Sequence, residues 1–306
     1  MKFTIAIPTR NRAKLLPCAL KSALNQNYDD YEIVVSNNTS EDDTEEVISQ
    51  FVGNRVRYIK TDYPMSMVEH WNFLLDKVRG EWVMYLCDDD ALAPFALSYM
   101  DRIIQQYPQI AVFSMVAATY VYPDMEVDEA NTLTIARSMN RDIDIRNSQD
   151  ELFNTYREMR SGGLPKIMNS FVKRTLLCEI KQKYGKAFFN WGPDISNVLL
   201  ILANSSHYVK VYKPMYVWGS NLASYGPGSL RSPQKIREFM DEVDDWKGQY
   251  HFSPYPELLT VSNGVYDTYC IVRDILGGEV SGLKIDLYIY RKRLLKDIQA
   301  YINLGF

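Results

Sequence analysis

Cysteine and histidine are scarce in this chain of 306 residues, and neither is grouped. Cys18, Cys87, Cys178 and Cys270 form no CxxC pair, and His70, His207 and His251 lack metal-ligand spacing, which argues for reduced thiols and against a zinc site. Positive charge is not in excess. With 34 Lys and Arg against 38 Asp and Glu the net charge is −4, so nothing draws the chain to nucleic acid in general, and no such partner is expected. No apolar run is long enough to span a bilayer, and the start, Met1 to Pro8, turns polar too quickly for a signal peptide, so a cytoplasmic location is expected. No GxGxxG follows the first strand pattern, and no GxxxxGK followed by Ser or Thr occurs, which excludes a dinucleotide fingerprint and a P-loop.

What is present is a hydrophobic content of 46%, enough for a substantial core. Through about residue 122, β-rich runs alternate with helical spacing. Strands are predicted at Phe3 to Ile7, Glu32 to Ser36, Val56 to Ile59, Trp82 to Leu86 and Ile110 to Met115. Helices are predicted at Leu15 to Asn25, through Val47 and Phe51 after a Ser40/Asp43 cap, at Val68 to Val78, and at Ala96 to Tyr107. Such an array gives an α/β domain with a largely parallel sheet, whose ligands sit at strand carboxyl ends.

Those ends are polar: Pro8-Thr9-Arg10-Asn11-Arg12, then Ser36 to Ser40, then Cys87-Asp88-Asp89-Asp90. Three adjacent carboxylates at a strand end repel one another unless a cation or hydrogen-bond donors offset them. A hard divalent ion, Mg2+ or Mn2+, prefers oxygen and commonly shares it with phosphate, so the triplet points to a phosphate-bearing ligand. The competing explanation is an acidic turn that caps the next helix.

The segments Ile5 to Arg12 (IAIPTRNR), Leu20 to Gln26, Glu32 to Ser40 (EIVVSNNTS), Asn72 with Gly80-Glu81, and Leu86 through Pro94 resemble the family 2 glycosyltransferases of the GT-A fold. A weaker resemblance runs through Trp191-Gly192-Pro193-Asp194 to Lys213-Pro214-Met215-Tyr216. The resemblance implies a nucleotide diphosphate sugar donor, with Pro8, Thr9 and Arg10 beside the nucleoside, and Asn37 and Asn38 where relatives commonly carry acidic residues that contact the base or ribose. It implies a metal at Asp89, with Asp88 contacting ribose or supporting it. Cys87 stands where many relatives have Asp, and Asp90 stays a contender under an Asp88-X-Asp90 frame. Asp194, near a helix start, matches the place of the catalytic base that would take the acceptor hydroxyl's proton, with inversion at the anomeric carbon.

Three regions are expected: 1–122 as the nucleotide-sugar-binding half of a GT-A domain, 123–232 as its acceptor-binding half, and 233–306 as a helical C-terminal region. Arg157 to Pro165, with Ser161-Gly162-Gly163, reads as a connector or a flexible substrate loop. Tyr208 to Trp218 reads as two paired strands turning at Pro214, and Ser220 to Ser232 as a polar loop in which Arg231 could meet phosphate. Helices are predicted over Gln234 to Tyr250, Leu258 to Leu276 and Leu283 to Asn303. The last carries Lys284, Arg291, Lys292, Arg293 and Lys296 among apolar residues, and either packs on its own domain or makes peripheral contact with a membrane. With the resemblance, this suggests surface-polysaccharide synthesis on a glycan or lipid-linked glycan acceptor at the inner membrane surface. The alternatives are a sugar-nucleotide-binding protein that has lost transfer activity, and a nucleotidyltransferase.

Overall fold

The computed structural model describes residues 1–53, 55–125, 127–135, 142–190, 192–241 and 250–306. The first half runs β1 (Phe3–Thr9), α1 (Leu16–Leu24), β2 (Tyr31–Asn37), α2 (Thr44–Ser49), β3 (Val56–Lys60), α3 (Met67–Leu75), β4 (Trp82–Tyr85), β5 (Ala91–Leu92), α4 (Ala96–Gln106) and β6 (Val112–Val121). There follow β7 (Thr132–Thr134), β8 (Ile143–Asn147), α5 (Ser148–Glu158), β9 (Ser170–Lys173), α6 (Arg174–Tyr184), α7 (Pro193–Ala203) and β10 (His207–Ser220). Short α8 (Tyr225–Ser229), α9 (Pro233–Asp241), α10 (Val261–Leu276) and α11 (Leu287–Asn303) close the chain.

All the strands among the described residues belong to one sheet. Its order is β3-β2-β1-β4-β9-β6-β10-β5, with β7 on β6 and β8 on β10. Strands β1 to β4 pair in parallel, as expected of the alternating array. The expected continuation into β6 is interrupted: β9, from the second half, inserts antiparallel to both β4 and β6. Both faces of the sheet are covered, so the inner strands divide their side chains by alternation. Ala6, Val34, Val83 and Tyr85 join the core under α3, α5, α6, α7, α10 and α11, while Ile5, Ile7, Ile33, Val35 and Met84 join the core under α1 and α4. Gly80 lets the turn before β4 touch β1, since a Cβ there would lie 2.5 Å from the Phe3 carbonyl carbon and the Thr4 nitrogen.

The predicted hairpin at Tyr208 to Trp218 is one long strand. Its parallel ladder to β6 jumps from Val211 opposite Met115 to Tyr216 opposite Ala117, which leaves residues 212–215 in an irregularity. Pro214 has no N–H to give a ladder, so the break falls around it without a lost hydrogen bond. Caps explain later helix starts than predicted. Thr260 accepts from the Asn263 nitrogen at 3.2 Å ahead of α10, and Asp286 accepts from the Tyr288 nitrogen at 2.8 Å ahead of α11. The helix expected over Gln234 to Tyr250 is described as Pro233–Asp241, and residues 242–249 of that expectation, like Trp191, lie outside the described residues.

Candidate active site

Strand β4 is held in register to its end, where the Leu86 nitrogen donates to the Ala6 carbonyl at 2.9 Å. The chain then turns, with the Asp90 nitrogen donating to the Cys87 carbonyl at 3.1 Å, and the triplet emerges beside the end of β1. Each carboxylate meets a different set of donors. Asp88 accepts from the Thr9 hydroxyl at 2.8 Å and lies 3.9 Å from the Arg12 Nε. Burial and neighbouring Asp89 push its carboxyl up to about 7 against the pull of Arg12. Asp89 accepts through Oδ2 from the Asn221 amide at 2.8 Å and from the Ser224 hydroxyl. Asp90 is buried, and its two oxygens accept from the Tyr216 hydroxyl and, at 2.8 Å, from the Gly219 nitrogen. Burial, then Asp89, pushes the Asp90 carboxyl far above the usual range.

Four of these partners, Tyr216, Gly219, Asn221 and Ser224, come from the end of β10 and the segment after it. Their approach is close. A Cβ on Gly219 would fall 1.9 Å from the Asp89 carbonyl oxygen, so only glycine lets β10 pass.

Pro193 opens α7 at its first turn, a position that needs no N–H, and Asp194 follows it. The Asp194 Oδ2 lies 2.5 Å from the Lys166 Nζ. Both carboxylate groups face one cavity of about 850 Å³. Among the residues predicted from sequence, Pro8, Thr9, Arg10, Asn38, Asp88, Asp89, Asp90 and Asp194 line it, and Ser161 to Leu164 line it as well. Asn37 is not among the lining residues: its amide oxygen accepts from the Ser40 nitrogen at 2.9 Å, and its amide nitrogen donates to the Tyr58 hydroxyl at 3.3 Å. Asn38 is on the wall, but its side chain is engaged with the Met65 backbone, donating at 2.7 Å and accepting at 2.8 Å. Both amides thus hold loops. Ser40 serves those loops too, accepting from the Asn11 nitrogen at 2.8 Å rather than capping α2. Arg231 donates to the Met125 carbonyl at 2.7 Å and does not line the cavity.

Sequence reasoning missed Lys166 and Lys235 on the cavity wall and the β10 clamp on the triplet. A lysine in Pro165-Lys166-Ile167 carries no signal of its role. Tyr216 lay within the weaker resemblance, but nothing in the sequence pairs it with residues more than a hundred positions away. Arg10, Arg12 and Lys235 place positive charge on the cavity wall, Arg12 beside Asp88.

Oxygen-rich donors suit a hard ion. Cys87, Asp89 and Asp90 each bring a ligand atom within 4.8 Å of the others. Burial, reinforced by the three aspartates, pushes the Cys87 thiol well up, which disfavours it as a thiolate ligand, and Asp90 is committed to Tyr216 and Gly219. Asp89 has Oδ1 without a hydrogen-bond partner among the described residues, which leaves it the carboxylate best placed to take a cation.

The sequence model of glycosyl transferase family 2 matches residues 4–176. The GalNAc(5)-diNAcBac-PP-undecaprenol beta-1,3-glucosyltransferase of Campylobacter jejuni is 40% identical over 100 residues, 32% of this chain and 32% of that protein. A PGL/p-HBAD biosynthesis glycosyltransferase of Mycobacterium bovis is 33% identical over 93 residues, 29% of this chain and 36% of that one. The matches therefore span about a third of the length of these relatives. In three dimensions, S. aureus TarS 1-349 in complex with UDP-GlcNAc aligns with TM-score 0.62 over 99% of this chain and 90% of that one, at 14% identity. The mannosyltransferase PcManGT of Pyrobaculum calidifontis, with GDP-Man and Mn2+, aligns with TM-score 0.51 over 98% and 84%, also at 14% identity. The sheet order and flanking helices are those of the GT-A fold, and the match extends over more than half of the sequence: the chain belongs to glycosyl transferase family 2.

Proposed function

We propose that this protein transfers a sugar from a nucleoside diphosphate donor to a hydroxyl of a glycan or lipid-linked glycan acceptor, with inversion and with help from Mg2+ or Mn2+. The observation that carries the reading is the shared cavity, lined by Asp88 and Asp89 just past a strand end and by Asp194 at a helix start. In this reading residues 1–122 hold the donor and 123–232 the acceptor. Residues 233–306 complete the wall through Lys235, Phe239, Val261 and Val265.

Pro8, Thr9 and Arg10 border the nucleoside, and Arg10, Arg12 and Lys235 lie where the diphosphate charge would fall. With the Asn37 and Asn38 amides engaged in loops, the base is read by backbone groups and by the shape of the wall, not by these side chains. Asp89 would hold the divalent ion, with Asp88 and Asp90 as its supports, and the ion would offset the charge that builds on the departing diphosphate. Asp194 takes the acceptor proton as the hydroxyl attacks, and Lys166 holds the carboxylate in place. A lipid-linked acceptor is favoured by the similarity to the Campylobacter glucosyltransferase, which is named for GalNAc(5)-diNAcBac-PP-undecaprenol.

An Asp194 outside the cavity would have favoured loss of transfer activity; its place in the cavity that the triplet lines supports transfer instead. A panel of nucleoside diphosphate sugars, tested by thermal shift with and without Mn2+, selects the donor, because a ligand of the native state raises apparent stability. Turnover with an acceptor pool must then release nucleoside diphosphate, abolished by chelator. Donor binding without turnover would support the inactive alternative, and release of pyrophosphate would support a nucleotidyltransferase.

A further inference from the structure

Helix α11 has two apolar faces. One packs inward: Tyr290, Leu294 and Tyr301 are buried, Asp297 accepts from the Ser262 nitrogen at 2.9 Å, and the Tyr301 hydroxyl donates to the Ser229 carbonyl at 2.7 Å. A helix that only caps its own domain needs no more than this. Yet Tyr288, Leu295 and Ile302 are 73%, 65% and 57% exposed. They recur every seven residues, close to two turns of an α-helix, and so form a single ridge along the outer surface.

Basic residues flank that ridge. Arg291 lies to one side, Lys292 and Lys296 to the other, and Lys284 just before the helix, all exposed. The acidic residue at this end, Asp286, is spent on the cap, accepting from the Tyr288 and Ile289 nitrogens. Against the net charge of −4 for the chain this concentration is local. An apolar ridge between rows of Lys and Arg is the form of a helix that lies in the plane of an anionic bilayer surface, with its apolar side chains at the headgroup boundary. Docking with a second copy would set the two basic faces against each other. No described helix is long and apolar enough to cross a membrane, so the contact is peripheral.

We infer that the outer face of α11 docks the protein on an anionic lipid surface, through Tyr288, Leu295 and Ile302 and the cations Arg291, Lys292 and Lys296. This contact is independent of sugar transfer and is tested without donor or acceptor. The intact protein should float with vesicles of phosphatidylcholine and phosphatidylglycerol in equal parts, not with phosphatidylcholine alone, and should release as salt rises. Replacing the three cations with Gln should weaken partition about a hundredfold, since each contributes about a fivefold factor near such a surface. The Leu295→Asp/Ile302→Asp double variant should abolish flotation while its thermal melt stays that of the parent, because both sites are exposed. Tryptophan in place of Leu295 should shift its emission to the blue on vesicles. No flotation, or flotation unchanged by both sets of variants, overturns the inference. A concentration-dependent dimer that the double variant splits would assign the face to a second copy, and capture of an acidic protein without vesicle binding would assign it to that partner.

Discussion

The Nζ of Lys166 lies 2.5 Å from Oδ2 of Asp194, and both residues line the cavity that the carboxylate triplet also lines. The pair fixes the carboxylate without burying it, since both side chains keep about a fifth of their surface exposed, 22% and 23%. Removing the base should therefore cost rate more than fold. Asp194→Asn is expected to lower transfer by about 10²- to 10⁴-fold, the usual worth of a positioned general base, with donor binding by thermal shift unchanged. Lys166→Met should reduce turnover less and leave the donor KM alone. Full activity in Asp194→Asn would remove this residue from the reaction.

The triplet is not three equivalent acids. Asp89→Asn should abolish the part of donor binding that depends on Mn2+, with an unchanged melt. Asp90→Ala should strand the Tyr216 hydroxyl and the Gly219 nitrogen in a buried site, at a cost of about 2–3 kcal/mol in urea unfolding. If the effects are reversed, with Asp90 controlling metal and Asp89 stability, the roles assigned to the two residues exchange.

Gly219→Ala should disturb the same site from the other side. The added methyl has to move the backbone at Asp89, so donor affinity is expected to fall at least tenfold even where the protein still folds, a change of about 1.4 kcal/mol. Isothermal titration with the selected donor reads this directly.

His70 is buried, shares a 2.8 Å hydrogen bond with the Ser36 hydroxyl, and is lowered from 6.5 to about 4 by burial and by Arg10. A depressed base is neutral in the fold while the unfolded chain takes up the proton first, so stability is highest above the unfolded value. It then falls as pH drops from about 6.5 toward 4, by about 3 kcal/mol at most. Denaturation midpoints at pH 7.5 and 4.5 should lie closer together in His70→Gln than in the parent.

The first part of the chain, through β4, was the more legible part of the fold. Its strands are short branched runs separated by helical spacing, and the α3 start is written in the Ser66/Glu69 capping box. β9 was not legible, because Ser170–Lys173 is too short to announce itself and its place between β4 and β6 is decided by tertiary packing. The break in β10 misled for a local reason: Pro214 reads as a turn in sequence, while in space it marks only an irregular stretch of one strand. At the site, residue types in the polar loops identified the wall of the cavity, but not the use of each side chain. Asn37 and Asn38 have the chemistry to read a base and spend it on neighbouring segments, Asn37 on Ser40 and the Tyr58 hydroxyl and Asn38 on the Met65 backbone, a choice that depends on where Tyr58 and Met65 arrive. Lys166 and Lys235 are ordinary surface lysines until the fold turns them toward carboxylates and carbonyls.

The position of β10 bears on how this protein can be divided. The recognisable family segment ends at residue 176, while the groups that satisfy Asp89 and Asp90 begin at Tyr216. A fragment cut at the edge of that segment would keep every carboxylate of the triplet and lose four of the donors that hold it. Nor would Asp194 be present. The part that can be recognised is thus not a separable module: the carboxylate triplet comes from it, while the groups that hold the triplet and the Lys166–Asp194 pair are completed only by the rest of the chain.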